Sequence, residues 1–328
     1  MMCISALIKG ILMLPLEELK IFTGNGHPDL AREVCSYLGM ELGQSEVFKF
    51  KNDNTFVRIQ ENIRSRDVFI IQPTCYPVND NIMELLIMID AAKRASAGRI
   101  TAVLPYYGYG RSDKKDQPRV PISGRLVADL LTIAGANRIL TVDFHVGQIQ
   151  GFFNIPVDEL TALPILANYF KKEVSGNWVV VAVDLGINKT ARDFATYLNI
   201  PLAIIEKRRI GNHDATETVS LIGDVKNKVA LLFDDEIDTA GSVLSAAEVL
   251  SQSGAKKILA CCTHPIFSDP ASSRLSNTLI SQVVATNTVP LNEDKLFDNL
   301  KILSIAPILG EAIQRIHKGL SVGALFSK

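Results

Sequence analysis

The 328 residues are 47% apolar and 21% charged, and their formal net charge is -1. That balance supports two globular domains with buried cores. It excludes an overall basic field of the kind that draws nucleic acid or an acidic membrane surface.

The opening MMCISALIKGILMLPLEE is apolar but is broken by Lys9, and no small-residue cleavage site follows it. It reads as a floppy or mis-started N-terminus before Met13 rather than as a signal peptide. No run approaches the roughly 20 apolar residues that span a bilayer. Seven short apolar runs then follow one another: 67–72, 99–105, 138–144, 178–184, 202–206, 229–235 and 257–263. Their apolar residues are consecutive rather than alternate, which predicts strands buried on both faces. Helical patterns lie between them. Ile82, Leu85, Leu86 and Ile89 make one stripe, with Asn79 or Asp80 as its N-cap. Val127, Leu130, Leu131 and Ala134 make a second that stops at Gly135, and Val243, Ala246, Ala247 and Leu250 a third that ends near Gly254.

Strands alternating with helices of this length predict an α/β fold of parallel sheets. The alternation occurs twice, with a seam near Asp158–Pro164. Domains are therefore expected over 15–160 and 161–309, with 310–328 packed on the first. Cysteines stand at 3, 35, 75, 261 and 262 without C-x-x-C spacing. Cys261 and Cys262 lie in an apolar run and read as core, and a reducing, cytoplasmic compartment is expected.

The strongest motif is VALLFDDEIDTAGS. A buried strand from Val229 to Phe233 is expected to end in Asp234 and Asp235. Asp238, Thr239, Ala240, Gly241 and Ser242 then form a small-residue turn into the Val243 helix. A helix N-terminus offers unpaired N–H groups and a partial positive charge, which suits a phosphate. Gly241 allows close approach, Thr239 and Ser242 add hydroxyls, and the two carboxylates accept bonds from neighbouring sugar hydroxyls. In YYGYGRSDKKDQPRVP, Arg111, Lys114 and Lys115 supply cations, and Asp113 and Asp116 carboxylates, suited to a triphosphate or a base. In VDFH, Asp143 and His145 are expected on one side of a strand, where they can position Mg²⁺ directly or through water. Lys207 and Arg209 follow another predicted strand, before Gly211 and Asn212, and two such charges together call for a shared anion.

The 233–242 string resembles the phosphoribosyl-diphosphate loop of type I phosphoribosyltransferases and of ribose-phosphate diphosphokinases (PRPP synthetases). From about Leu19 to Ser327 the chain is similar to the phosphate-regulated class of the latter. The matching stretches include 82–97, 104–116, 142–158, 204–209 and 260–268. The resemblance implies two similar phosphoribosyltransferase-type domains, each a mainly parallel sheet flanked by helices. It implies an enzyme that transfers the β,γ-diphosphate of Mg-ATP to the C1 hydroxyl of ribose 5-phosphate. Arg111, Ser112, Asp116 and His145 are implied ATP contacts, and Asp143, His145 and Asp184 the metal set. Lys207 and Arg209 become the catalytic pair, and Asp184 with Gly186 the diphosphate loop. FKFKN at 48–52 resembles an adenine-binding stretch, with Phe50 stacking and Asn52 and Asn54 beside it. In the family that stretch serves a neighbouring subunit, which implies a homo-oligomer, a hexamer built from dimers. Phosphate and ADP are implied effectors, through Arg119, Ser123 and 321–327.

Several positions depart from the family pattern. Ser112 stands for the usual Gln, Asn54 for an acidic residue, Asn154 for Asp, and Ala324 for a frequent Tyr. After Asp184 the family carries a glycine pair, and Ile187 replaces the second. A β-branched residue resists φ > 0, so either the loop has another shape or its N–H contacts are fewer. A catalytically weak or inactive paralogue that regulates active subunits is the alternative reading, and a phosphoribosyltransferase acting on a base is a third.

Overall fold

The computed structural model describes residues 18–210 and 216–325, with the side chains of 207–210 and 216–219 also left outside the description. Residues 1–17, including Met13, therefore lie outside the described residues, as do Gly211, Asn212 and the last three positions of the chain.

The first sheet is wholly parallel, in the order β1 (Leu19–Thr23), β4 (Asp67–Ile71), β5 (Arg99–Leu104), β6 (Arg138–Val142), β7 (Val157–Leu160). Every residue of β4 is buried, as the unbroken apolar run predicts for a strand covered on both faces. The helices α2 (Val78–Arg94) and α3 (Ser123–Ala134) bury Leu85, Met88, Ile89, Val127 and Leu131 against one core. The other core holds α1 (Pro28–Leu38) and α8 (Ala306–His317), so the chain returns to this sheet at its end. Asp67, fully buried, fastens that return. It accepts from Arg99 Nε at 2.8 Å and lies 2.9 Å from His317 Nδ1. A hairpin of β2 (Ser45–Lys49) and β3 (Thr55–Ile59) projects between β1 and β4 in sequence.

The second sheet has the order β10 (Thr216–Ile222), β9 (Leu202–Ile210), β8 (Trp178–Ala182), β11 (Val229–Ile237), β12 (Lys257–Pro265), β13 (Ile280–Thr286), β14 (Leu300–Leu303). It is parallel except for the β9–β10 hairpin. The helices α4 (Leu163–Phe170), α5 (Asn188–Leu198) and α6 (Gly241–Gln252) pack into its core, where Cys261 and Cys262 are fully buried. Both sheets flanked by helices give the expected α/β class.

Three local expectations are corrected. The α2 helix starts at Val78 after Pro77, which caps nothing, so Asn79 and Asp80 lie in its first turn. The β9 strand runs to Ile210, so Lys207 and Arg209 lie on the strand, opposite Val219 and Glu217 of β10, and not after it. Likewise β11 continues through Asp234 and Asp235 to Ile237. Among the described residues no helix is long and apolar enough to cross a membrane.

Candidate active site

The site grows out of one event in the second sheet. β8 stops pairing with β11 at Phe233, while β12 stays paired as far as Ile237. Residues 234–237 therefore keep extended backbone on a strand that has lost one neighbour, at the carboxyl end of a parallel sheet. That is where α/β folds bind ligands. Successive side chains then face opposite ways. Asp235 lines a cleft of about 750 Å³ with His145, Lys189 and Thr190, while Asp234 and Glu236 line a smaller cavity of about 120 Å³.

The small cavity is lined by the 238–242 turn and the start of α6. Ala240 takes φ 63, a left-handed turn that swings the chain into α6 at Gly241. No side chain caps this helix, so its first N–H groups are left to the cavity. A Cβ at Gly241 would meet only Thr239 Oγ1, at 3.8 Å, so glycine here leaves the cavity open rather than relieving a clash. Buried Asp238 Oδ1 has no hydrogen-bond partner among the described residues, an acceptor left for a ligand donor.

Carboxylates crowd this end of the strand. Burial, then the charges of Asp235 and Asp184, push Asp234 well above the usual carboxylate range. Burial also works to raise Asp235, but its hydrogen bond and ion pair with His145 overcome that and hold it below. His145 Nδ1 lies 2.7 Å from Asp235 Oδ2, and that bond raises the imidazole against its own desolvation. The contact joins the two domains, since His145 follows β6 and Asp235 sits on β11.

Arg111 makes the second crossing. It pairs with buried Glu236 through Nε and donates from Nη1 to Asp238 Oδ2 at 3.1 Å. Thus the basic loop at 104–116 closes onto residues 236–238 at the end of β11. Asp116 is exposed, and Ser112 donates its N–H to Tyr109 O at 2.9 Å.

Asp143 differs from its expected placing. It lies one residue past β6 with φ 37, so it and His145 do not alternate along one strand. Its Oδ2 accepts from Ala162 N at 3.0 Å and Thr263 Oγ1 at 2.7 Å. Asp184 Oδ1 accepts from the N–H groups of Gly186 and Ile187, at 2.8 and 3.2 Å. Ile187 sits at φ -85, a right-handed conformation open to any residue. The loop therefore asks no positive φ of Ile187. Among the described residues no three His, Cys, Asp or Glu side chains converge as a metal site, so Asp143, His145 and Asp184 do not form a ready-made ligand set.

Phe50, Asn52 and Asn54 stand on the β2–β3 hairpin. Phe50 is 48% exposed and makes edge contacts with Phe48 and Phe56. Asn52 Oδ1 accepts from Asn54 N at 3.3 Å, closing the hairpin turn. The side chains of Lys207 and Arg209 lie outside the described residues. Sequence reasoning passed over Glu236, Thr263 and His264. The only signal was their place at or just past the ends of the apolar runs 229–235 and 257–263.

The profile of the N-terminal domain of ribose phosphate pyrophosphokinase matches residues 19–135, and that of the phosphoribosyl synthetase-associated domain matches residues 210–327. A ribose-phosphate pyrophosphokinase of Clostridium acetobutylicum is 52% identical over 314 residues, covering 95% of this chain and 98% of that protein. One of Caldanaerobacter subterraneus subsp. tengcongensis is 54% identical over 311 residues, covering 94% and 98%. The crystal structure of phosphoribosylpyrophosphate synthetase from Mycobacterium smegmatis matches with TM-score 0.87 at 43% identity, covering 92% of this chain and all of that one.

Proposed function

The chain belongs to the ribose-phosphate pyrophosphokinase family and is an enzyme of that activity, and from this premise we propose how its residues divide the work. The substrates are ATP and ribose 5-phosphate. The observation that carries the division is the double crossing between domains, Arg111 to Asp238 and His145 to Asp235. It brings the triphosphate loop and the sugar loop to one place.

In this reading the 5-phosphate sits on the first N–H groups of α6, held by residues Thr239 to Ser242. Asp234 and Asp235 accept from the ribose hydroxyls. Asp234, raised toward its protonated form by burial, also gains from a hydroxyl that relieves its crowding. Arg111 and His145 receive the polyphosphate, Ser112 and Asp116 lie beside it, and Asp184 and Gly186 face the diphosphate. The C1 hydroxyl oxygen bonds to the β-phosphorus as the bond from that phosphorus to the α,β-bridging oxygen breaks. AMP leaves, and the hydroxyl proton passes to solvent. Lys207 and Arg209 stabilise the charge on the transferring oxygens, as positioning and electrostatics dominate phosphoryl chemistry.

The donor set fits Mg²⁺ that arrives with ATP, since this ion takes one or two carboxylates and otherwise phosphate and water oxygens. Asp143 and Asp184 each keep an oxygen for it. With Nδ1 paired to Asp235, His145 keeps Nε2 for a phosphate oxygen or, when neutral, for the ion. When bound, the ion neutralises charge on the phosphate oxygens.

The domain limits at 160 and 161, with 310–328 on the first domain, belong to the same proposal. They rest on the end of the first sheet at Leu160 and on α8 packing beside α1. The exposed Phe50 supports adenine stacking from a neighbouring subunit, and with it a homo-oligomer, a hexamer of dimers. Phosphate and ADP are proposed effectors, and four buried free thiols among the described residues support a cytoplasmic location. The paralogue reading is not favoured, because relatives above 50% identical over nearly the whole chain carry the enzyme's name. Following AMP and phosphoribosyl diphosphate by ³¹P NMR, from ATP, ribose 5-phosphate, Mg²⁺ and phosphate, tests the proposal. No product would sink it.

A further inference from the structure

Glu236 is a buried acid that the reaction above does not use. Its side chain is 5% exposed, on the far end of β11, and it shares a small cavity with Tyr106 and His264. Burial raises its carboxyl, with the Arg111 charge opposing. A carboxylate taken this far from water is tolerated when it is paired, and its partner here is Arg111.

The geometry of that pair is asymmetric. Glu236 meets Arg111 Nε and Asp238 accepts from Nη1, two of the five N–H donors of the fork. Glu236 sits within a paired strand, opposite His264 of β12. Asp238 sits on the turn after that strand and its side chain is 32% exposed. One partner is therefore an anchor and the other a displaceable contact. An arginine fork recognises phosphate well only when its plane is held.

We propose that Glu236 is the positioning residue for Arg111, fixing the guanidinium at the mouth of the 238–242 loop so that its remaining N–H donors receive the ATP polyphosphate. The inference rests on the reading of Arg111 as a triphosphate ligand, on which Glu236 acts through the guanidinium. Without it, Arg111 keeps only the Asp238 contact and turns toward the sugar loop.

The test is a double-mutant cycle read by calorimetric binding of Mg-ATP without ribose 5-phosphate, so that turnover plays no part. Glu236→Met should weaken Mg-ATP binding about tenfold, the scale of one charged hydrogen bond. Ribose 5-phosphate binding should stay within about twofold. Glu236→Gln, which keeps an acceptor for Nε, should recover most of the loss. In an Arg111→Met background the Glu236→Met change should have no further effect. Equal weakening in both backgrounds, or Mg-ATP binding within about twofold of wild type, would overturn the proposal. If Glu236→Met does not fold, Glu236→Gln carries the same cycle, with a smaller loss that must likewise vanish beside Arg111→Met. A wild-type enzyme that turns over while the cycle shows no coupling removes only this inference. A wild type that binds no Mg-ATP removes the proposed function and this inference with it.

Discussion

His145 Nδ1 and Asp235 Oδ2 meet at 2.7 Å across the seam between the two sheets. The bond raises His145 and, against burial, lowers Asp235. The signs give two different pH windows. For His145 the folded value lies above the ordinary value of about 6.5. Its contribution to stability is full below that value and is lost as pH rises through the folded one. For Asp235 the contribution is present above the ordinary carboxylate range and is lost as pH falls through the lowered value. The His145 imidazole resonance in NMR should titrate above the ordinary value in the wild type and shift down in Asp235→Asn. An unshifted midpoint in that variant would mean the pair has no electrostatic consequence.

The proposed role of Lys207 and Arg209 gives a kinetic prediction. Lys207→Ala should lower kcat by about 10²–10³, the loss seen when one preorganised donor to a developing charge is removed. Ribose 5-phosphate binding should change less than about threefold, since its cradle is on α6 rather than on β9. Steady-state rates beside equilibrium binding separate the two. Turnover equal to wild type would take the β9 end out of the mechanism.

The parallel architecture was legible because central strands such as β4 and β8 are unbroken apolar runs. The missed strands are short or mixed. β14 has no fully buried residue and β7 has one, so neither carries the pattern that reveals a two-sided strand. The turn into α6 was legible because its residues, 238–242, are contiguous in sequence. The ends of β9 and β11 were misplaced because charged residues read as strand ends. Here those strands run on, paired with β10 and β12 respectively. The crossings Arg111–Glu236, His145–Asp235 and Thr263–Asp143 span 90 residues or more, and no local pattern encodes them.

The cradle can be tested by two opposite substitutions. Gly241→Ala adds a methyl that meets only Thr239 Oγ1 in the free protein, so stability should stay within about 0.5 kcal/mol. In the proposed site the same methyl stands in the phosphate's path, and ribose 5-phosphate affinity should fall about tenfold or more. Ala240→Gly should act on the fold instead. A left-handed alanine costs about 1–2 kcal/mol, and glycine returns about 0.5–1 as chain entropy. The net gain should be below about 1.5 kcal/mol. Gly241→Ala binding the sugar phosphate as wild type does would move the phosphate off α6.

A last prediction concerns the loop after β1. Glu84 is largely buried, and its Oε1 accepts from Asn25 N and from Gln72 Nε2 at 2.8 Å. Its Oε2 accepts from Asn25 Nδ2 at 2.8 Å. A Cβ at Gly24 would fall 2.2 Å from Glu84 Oε1 and 2.9 Å from Gln72 Oε1. Relief must come from moving a buried carboxylate off its donors, which leaves polar groups unsatisfied. Gly24→Ala should therefore cost about 2–4 kcal/mol, from overpacking and lost hydrogen bonds together. Gly39→Ala offers the control. Gly39 has φ 68 and nothing near its missing Cβ, so only the backbone cost of about 1 kcal/mol applies. Urea unfolding of both variants beside wild type makes the comparison. The same loop carries His27, whose Nε2 lies 3.0 Å from Asn287 O in the second domain. Displacing it should loosen the interdomain seam, and amide exchange should rise around Asn287 in Gly24→Ala but not in Gly39→Ala. Equal stability losses in the two variants would mean that the Glu84 network does not hold the loop.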